Sequence, residues 1–203
     1  MSSMHSTGED LLLKASRLLA RQPFQTVDLA TVADFCGEST EVVARNYPDM
    51  KTLGAAILTY EGAAMREAHR LAASQYPHPL ERVEASFRLV GDRLASDVIV
   101  RAGIRIAAEA ASCFPERNID PFRTWKAFVV GALEESVAEG EIRDGVRIEA
   151  AARVLVSAGM GTKDLLTFTN DWDSAGERLA EVASFVISGM RREANAHDSA
   201  NSL

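Results

Sequence analysis

The sequence has few of the features that mark secreted, membrane-spanning or metal-bound proteins. Its 203 residues include only two cysteines, Cys36 and Cys113, which form no CxxC pair, so we expect thiols in a reducing compartment. No apolar run approaches the roughly 18 residues of a membrane helix, and the polar segment Met1–Asp10 does not resemble a signal peptide. We therefore expect a cytoplasmic protein.

Motifs for metal, phosphate and hydrolytic chemistry are also missing. The chain has no HExxH, GxSxG or glycine-rich phosphate loop, and we infer no cofactor. Its four histidines show no metal-ligand spacing, so no metal site is predicted either: His5, His69, His78 and His197. The net charge of −7 opposes general attraction to nucleic acid or anionic membrane, although an acidic protein can still bind DNA through one basic face.

Strand patterns are nearly absent, and the helical period of 3.6 residues fits most segments. The sequence therefore predicts an all-α protein of about nine helices. Asp28, Ser39, Asp49 and Asp120 are the predicted N-caps of the second, third, fourth and seventh helices. The last two helices are predicted over about 148–169 and about 174–196.

The first three predicted helices occupy about 40 residues, and Gly37 supplies a tight turn between the second and third. This is the layout of a helix-turn-helix. We predict a helix-turn-helix domain over residues 1–49 and a ligand-binding and dimerisation domain over residues 50–203. A helix from about 50 to 75 would link the two domains.

The order of elements and several residues resemble the TetR family over nearly the whole chain. The matching positions are aromatic, capping, apolar and turn residues of the three-helix unit: Phe24, Thr26–Asp28, Leu29, Val32, Ala33, Gly37, Tyr47 and Leu53. The C-terminal part resembles the γ-butyrolactone receptor subgroup more specifically. Its matching segments are Val98–Arg105, Phe122–Trp125 and Ala138–Ile142.

On helical spacing alone Trp125 is more simply a core aromatic, whereas the subgroup resemblance implies a small-molecule pocket against its ring. Phe87, Val90 and Phe128 are candidate pocket walls, and core packing is the plainer role for each. Thr162 and Lys163 on the eighth helix are candidate polar contacts to the ligand. The resemblance thus implies a lactone-like or pathway-derived ligand.

The predicted DNA-reading helix departs from the family pattern. The family's usual lysine and glycine are replaced here by Thr40 and Glu41. DNA contacts would then rest on Thr40, Arg45, Asn46 and Lys51. Residues 1–55 carry five basic and seven acidic side chains, a local net charge of −2, which opposes phosphate contacts.

An enzymatic alternative rests on the eighth helix, where polar groups interrupt an apolar run. Lys163, Asp164 and Thr162, with His69 from the fourth helix, would be the candidate acid–base groups. A solvated or dimer-facing Asp164 and a solvated His69 are the plainer interpretations. The catalytic residues thus remain unknown at this point, and whether the chain is an enzyme stays open.

Partner predictions come from the last helices and from the sixth. The stripe Leu179, Val182, Phe185, Val186, Gly189 and Met190 predicts a homodimer through the last two helices, with Gly159 and Gly161 permitting close approach. Asp97, Arg101, Arg105 and Glu109 follow one another at steps of four, which predicts a row of ion pairs.

Two functions follow as expectations. The first is a TetR-like transcriptional repressor that responds to a small molecule and binds a DNA operator. The second is a TetR-scaffold protein that has lost DNA binding and serves secondary metabolism as a biosynthetic enzyme or a small-molecule-binding module. Fold alone does not separate them.

Overall fold

The computed structural model describes residues 8–192. The predictions on His5, His197 and the tail after Glu193 lie outside the described residues. Within them the chain forms nine α-helices and one isolated β-bridge, which confirms the all-α prediction. The helices are α1 (Gly8–Leu19), α2 (Leu29–Cys36), α3 (Thr40–Asn46), α4 (Met50–Gln75), α5 (Pro79–Ser96), α6 (Val98–Cys113), α7 (Pro121–Ala138), α8 (Ile148–Thr169) and α9 (Ala175–Ser188).

Local hydrogen bonds explain where the N-terminal helices begin and end. The side chains of Asp28, Ser39 and Asp49 each accept a hydrogen bond from the backbone N–H three residues later, at 2.8, 3.3 and 2.6 Å. Gly37 ends α2 with a φ of 70°, a left-handed conformation that glycine adopts without steric cost. The predicted caps and the turn of the helix-turn-helix are therefore confirmed.

Two hydrophobic cores divide the described chain. One joins α1, α2 and α3 to the first half of α4 and to one face of α6; the other joins α5, α7, α8 and α9. α6 contributes to both, since Ile106 packs in the first core and Val100 in the second. α4 begins at Met50, at the proposed domain boundary, and packs in both cores, with Ile57 in the first and Ala68 in the second; the boundary itself stays a prediction.

The helix-turn-helix unit is held against α6 by specific contacts. The rings of Phe24 and Phe114 lie 5.4 Å apart, and Gly54 leaves them room, because a Cβ at that position would lie 2.7 Å from both. The Glu109 carboxylate accepts a hydrogen bond from the backbone N–H of Phe24 at 3.2 Å. These contacts couple the position of α6 to that of the N-terminal helices.

The predicted row of ion pairs on α6 is wrong. Asp97 caps α6 and accepts a hydrogen bond from the Tyr60 hydroxyl at 2.8 Å, and Glu109 binds the helix-turn-helix unit. Arg101 donates to two backbone carbonyls at the end of α5. No ion pair joins these side chains to Arg105 or to one another within residues 8–192. These side chains therefore bind groups in other elements instead of one another.

α9 also ends earlier than predicted, at Ser188 instead of about residue 196. The chain then turns back onto the segment between α7 and α8, where Ile142 and Arg191 form the isolated bridge. The backbone N–H of Arg143 donates to the Met190 carbonyl at 3.0 Å. The bridge satisfies backbone groups that a longer helix would have satisfied internally.

Candidate functional site

A cavity of about 400 Å³ lies inside the C-terminal helices, and we call it the C-terminal cavity. Six helices, α4 to α9, contribute residues to its wall. Most of these residues are apolar. Its apolar wall consists of Met65, Phe87, Val90, Leu94, Ile104, Ala107, Ala108, Pro121, Phe122, Trp125, Val156, Gly159, Met160 and Leu179. This volume falls in the range of small-molecule sites, about 300–1,000 Å³.

Trp125 stands in the cavity wall, as the resemblance implied, together with Phe87 and Val90. Its ring meets the Phe87 ring edge-on, with centroids 5.3 Å apart. Phe128 is not part of the wall; its ring contacts Trp125 at 6.0 Å and His69 at 4.2 Å. The aromatic wall is therefore held by packing, which orients the indole before a ligand arrives.

Glu61 is a charged residue of the cavity wall that was not predicted from the sequence. No hydrogen bond or ion pair joins its carboxylate to another residue of the described chain, and burial raises its pKa to about 7, with Arg66 opposing the rise. The close approach of α6 to α4 depends on Gly103, since a Cβ there would lie 2.2 Å from the Glu61 Cβ. The sequence did contain an indication of this position, because Glu61 lies four residues from each of the apolar residues Ile57 and Met65, on the same face of α4.

The polar residues of α8 divide between the cavity and the helix itself. Lys163 and Asp164 both reach the cavity and form an ion pair with each other, with the Asp164 side chain 71% exposed. Thr162 does not line the cavity, because its hydroxyl donates to the Ala158 carbonyl at 2.9 Å. The ion pair therefore stands at a solvent-facing edge of the cavity.

His69, the fourth candidate acid–base group, also lies outside the cavity wall. Its ring packs 4.7 Å from the Trp125 ring, and burial lowers its pKa. Its Nδ1 is buried without a hydrogen-bond partner within the described residues. Lys163 and Asp164 thus share one site, whereas Thr162 and His69 do not join them in it.

The expected DNA-reading residues lie on and after α3. Thr40 begins the helix, while Arg45 and Asn46 end it, and all three are exposed. The Asn46 side-chain amide donates to a backbone carbonyl of its own helix at 3.0 Å. Lys51 forms a 3.0 Å ion pair with Glu116, a residue of the loop after α6. Arg45 is thus the cation of this set that no carboxylate of residues 8–192 holds.

Glu41 adds a negative charge at the start of α3. Its own backbone N–H and the Ser39 hydroxyl hold the pKa of this exposed carboxyl below its usual value, so it is ionised at neutral pH. A helix N-terminus is where backbone N–H groups favour a phosphate. In this chain a carboxylate already occupies that position, which opposes DNA.

Three potential metal ligands meet where α7 ends, a grouping that sequence spacing did not indicate. Ligand atoms of His78, Glu139 and Glu141 lie within 4.8 Å of one another. The Glu141 carboxylate already pairs with His78 at 3.2 Å and accepts a hydrogen bond from the backbone N–H of Leu80 at 3.4 Å. These contacts fasten the start of α5 to the segment after α7.

An exposed apolar surface runs along α8 and α9. Val154, Leu165 and Phe168 project from α8 and Phe185 from α9, with Phe168 89% and Phe185 81% exposed. The predicted stripe on α9 needs correction, because its members Leu179 and Met190 are buried within the chain. Of its other members, Phe185 and Gly189 are exposed and Val182 and Val186 are partly exposed, and the homodimer itself stays a prediction.

Gly159 has a different role from the one predicted. A Cβ at this position would lie 2.6 Å from the Phe87 ring, so the glycine makes room for a cavity aromatic. Gly161 has no atom within 4 Å of the corresponding position and remains available to a second copy. Close approach between helices at Gly159 is therefore an intramolecular feature of the cavity.

Comparison with known proteins now identifies the chain's relatives. Residues 83–191, more than half of the sequence, match the family model for the tetracyclin repressor-like C-terminal domain. The chain belongs to the TetR family. The matched segment contains α6 to α9 and most of α5, and with them most of the cavity wall. No curated protein matches the sequence.

Solved structures agree with this membership of the TetR family. One, from work on the control of antibiotic production by bacterial hormones, is 25% identical, with a TM-score of 0.70 over 91% of this chain and 97% of that chain. A γ-butyrolactone receptor (ArpA-like protein) is 15% identical, with a TM-score of 0.68 over 90% and 96%. CprB from S. coelicolor A3(2) is 22% identical, with a TM-score of 0.69 over 91% and 88%.

The predicted fold and family are therefore confirmed. At 15% and 22% identity, the second and third similarities establish the shared fold and no more. None of the helices in residues 8–192 has the length and apolar character needed to cross a membrane.

Proposed function

We propose that this TetR-family protein is a ligand-responsive transcriptional repressor whose C-terminal cavity binds a small, largely apolar metabolite of the lactone type. The observation that carries the proposal is the position of the cavity. Its wall is built partly by α4 and α6, and these same helices hold the helix-turn-helix unit. A molecule in the cavity therefore contacts the elements that set the orientation of α3.

The lining of the cavity favours a neutral ligand with an apolar body. Trp125, Phe87 and Phe122 offer flat surfaces to a ring or acyl chain. Of the charged groups, Lys163 is already paired with Asp164, while Glu61 has no partner within the described residues. A ligand carboxylate would meet an unpaired acid, whereas a hydroxyl would find a hydrogen-bond acceptor. The relative described as a γ-butyrolactone receptor supports the lactone class.

α6 offers a direct route from the cavity to the helix-turn-helix unit. Ile104 and Ala107 line the cavity, whereas Ile106 and Glu109 pack against the N-terminal helices. A helix moves as a rigid element, so a shift at one face is a shift at the other. The ligand changes DNA affinity only if it binds one arrangement better than the other.

The exposed apolar surface of α8 and α9 supports a homodimer through these helices. Phe168 and Phe185 are largely exposed, and burial against a second copy would remove both apolar side chains from water. In a two-fold dimer the same patch meets itself, and each copy brings one helix-turn-helix to a half-site. Dimerisation would thus fix the distance between the two copies of α3.

One titration tests the proposal. Fluorescence anisotropy of labelled promoter fragments from the protein's own gene cluster should show saturable binding, and an alkyl-substituted γ-butyrolactone should release the DNA. A Trp125→Ala variant should keep DNA binding but lose the response to the lactone, while Trp172→Phe should keep both. Release of DNA that is equal in both variants would contradict a ligand site at Trp125.

A second candidate function is a small-molecule-binding module without DNA. It is favoured by Glu41, by the ion pair between Lys51 and Glu116, and by the local net charge of −2. Lactone binding by a dimer that binds no promoter fragment at low salt would establish the module and remove the repressor.

A further inference from the structure

A second cavity, of about 750 Å³, lies between the helix-turn-helix unit and the C-terminal helices, and we call it the seam cavity. Its wall comes from three places: α1 and α2, the α5–α6 corner, and the end of α8 with the turn that follows. It does not share a wall residue with the C-terminal cavity. The proposed repressor function makes no use of it.

Four arginines face the seam cavity, which is unusual in a chain with a net charge of −7. Arg17 lies in the last turns of α1 and Arg21 just after that helix, while Arg101 and Arg105 lie on α6. Within residues 8–192, none of the four forms an ion pair with a carboxylate. The cavity wall therefore carries four cations and one acid, Asp97, and has an excess of positive charge.

The acid in the wall does not neutralise the arginines. Asp97 caps α6 through two backbone N–H groups, at 2.8 and 3.3 Å, and also accepts the Tyr60 hydroxyl. Burial lowers the pKa of Arg101, while the nearby carboxylates of Asp97 and Asp173 oppose this and the positive charge of Arg21 adds to it. These acids offset part of the charge at Arg101, but four arginines stand against one acid in the cavity wall.

Arg101 is held in place before anything binds, whereas Arg105 has an unsatisfied donor. Arg101 donates to the Leu94 and Ala95 carbonyls, and its guanidinium lies 5.5 Å from the centre of the Trp172 ring. The Nε of Arg105 is buried and has no hydrogen-bond partner within the described residues. A buried donor without an acceptor costs stability, which an anionic oxygen in the cavity would restore.

The DNA-reading surface lies elsewhere on the helix-turn-helix unit. Gly8, at the start of α1, accepts a hydrogen bond from Tyr47 just after α3. Arg17 lies nine residues further along α1, about 14 Å away at a rise of 1.5 Å per residue. The arginines therefore gather at the end of α1 that faces α6, away from Arg45 and Asn46.

We propose that the seam cavity is a second small-molecule site, which binds a compact anion with two or more carboxylate or phosphate groups. The anion would bridge the arginines of α1 and α6 and so clamp the helix-turn-helix unit to the C-terminal helices. Guanidinium groups suit both kinds of anion because they bind carboxylate and phosphate oxygens in pairs. Occupancy would stabilise the contact between the two halves of the protein.

The two tryptophans of the chain allow each cavity to be measured separately. In a Trp125→Phe variant the remaining indole, Trp172, lies in the seam cavity beside Arg101. We expect a saturable change in its fluorescence when pyrophosphate or citrate is added at constant ionic strength. Comparing the affinities for pyrophosphate and for citrate shows whether the site prefers phosphate or carboxylate groups.

Substitutions of the arginines test the assignment. Arg21→Gln with Arg105→Gln in the same background should weaken the binding of the better probe at least tenfold. Arg88→Gln, an exposed arginine of α5, is the matched control and should leave it unchanged. Arg21→Gln alone, at an exposed position, should weaken binding severalfold and keeps the test open if the double variant folds poorly.

Three results would overturn the proposal. The first is the absence of a saturable change with either probe above that of matched sodium chloride. The second is equal affinity in the double variant and in its parent. The third is displacement of the probe by short duplex DNA together with loss of DNA binding in the double variant, which would make the arginines a DNA contact. Lactone binding at Trp125, followed in Trp172→Phe, is independent of all three.

Discussion

Glu61 provides a quantitative test of the C-terminal cavity. Burial raises the pKa of its carboxyl from the ordinary 4.5 to about 7. At 1.36 kcal/mol per pKa unit, this difference corresponds to about 3 kcal/mol. Because the raised pKa favours the protonated form in the folded protein, stability is full below about pH 4.5 and falls as the pH rises through about 7.

Glu61→Gln removes the charge and keeps the size of the side chain. At pH 8.5 we expect the variant to unfold with a free energy up to about 3 kcal/mol higher than that of the parent, and at pH 5 the gain should shrink to about 1 kcal/mol or less. The assay is urea unfolding followed by circular dichroism at both pH values. Glu134→Gln, an exposed glutamate of α7, is the control and should show neither effect.

Two results would contradict a buried, unpaired charge at Glu61. A gain of equal size at pH 5 and pH 8.5 would show that the substitution acts through packing and not through a buried charge. A loss of stability at pH 8.5 would show that the ionised carboxylate has a partner in the folded protein.

Three further predictions follow from packing and from the tryptophans. Phe185→Arg should give monomer or aggregate in light scattering, because a dimer through α9 would bury an unpaired charge; a clean, well-folded dimer would remove that interface. Trp125→Phe should lose most of the fluorescence change caused by a lactone, while Trp172→Phe keeps it, and the reverse pattern would move the ligand to the seam. Gly103→Ala should cost about 1–3 kcal/mol in thermal unfolding, since its Cβ would overlap a side chain of α4. Gly131→Ala, in open space, should stabilise by up to about 1 kcal/mol and serves as the control.

The sequence predicted the features of this fold that depend on near neighbours. Asp28, Ser39 and Asp49 act as caps because the N–H they bind is three residues away in any helix. α8 runs over residues 148–169, as predicted, and it ends at Asn170, whose left-handed backbone (φ 54°) is a local feature. The resemblance of Phe122–Trp125 to the receptor motif, and not its spacing, singled out Trp125, which lines the cavity; its contact with a ligand stays a prediction.

Features that depend on distant partners could not be predicted. By spacing, Asp97, Arg101 and Glu109 share one face of α6. Each instead hydrogen-bonds to another element: Tyr60 of α4, the end of α5 and Phe24, respectively. Glu61 is covered by α6 at Gly103, a contact that the sequence of α4 alone does not predict. The seam cavity forms where the ends of α1 and α8 come together. The hydrophobic periodicity of either helix does not predict this tertiary contact.

The repressor function is tested most directly by DNA binding across a salt series. Fluorescence anisotropy with promoter fragments from the protein's own gene cluster should show specific binding with a shallow salt dependence, because few cations face the DNA. Arg45→Ala should abolish this binding, and Glu41→Gly should strengthen binding to every fragment. If neither the parent nor Glu41→Gly binds any fragment at low salt, the protein is not a repressor.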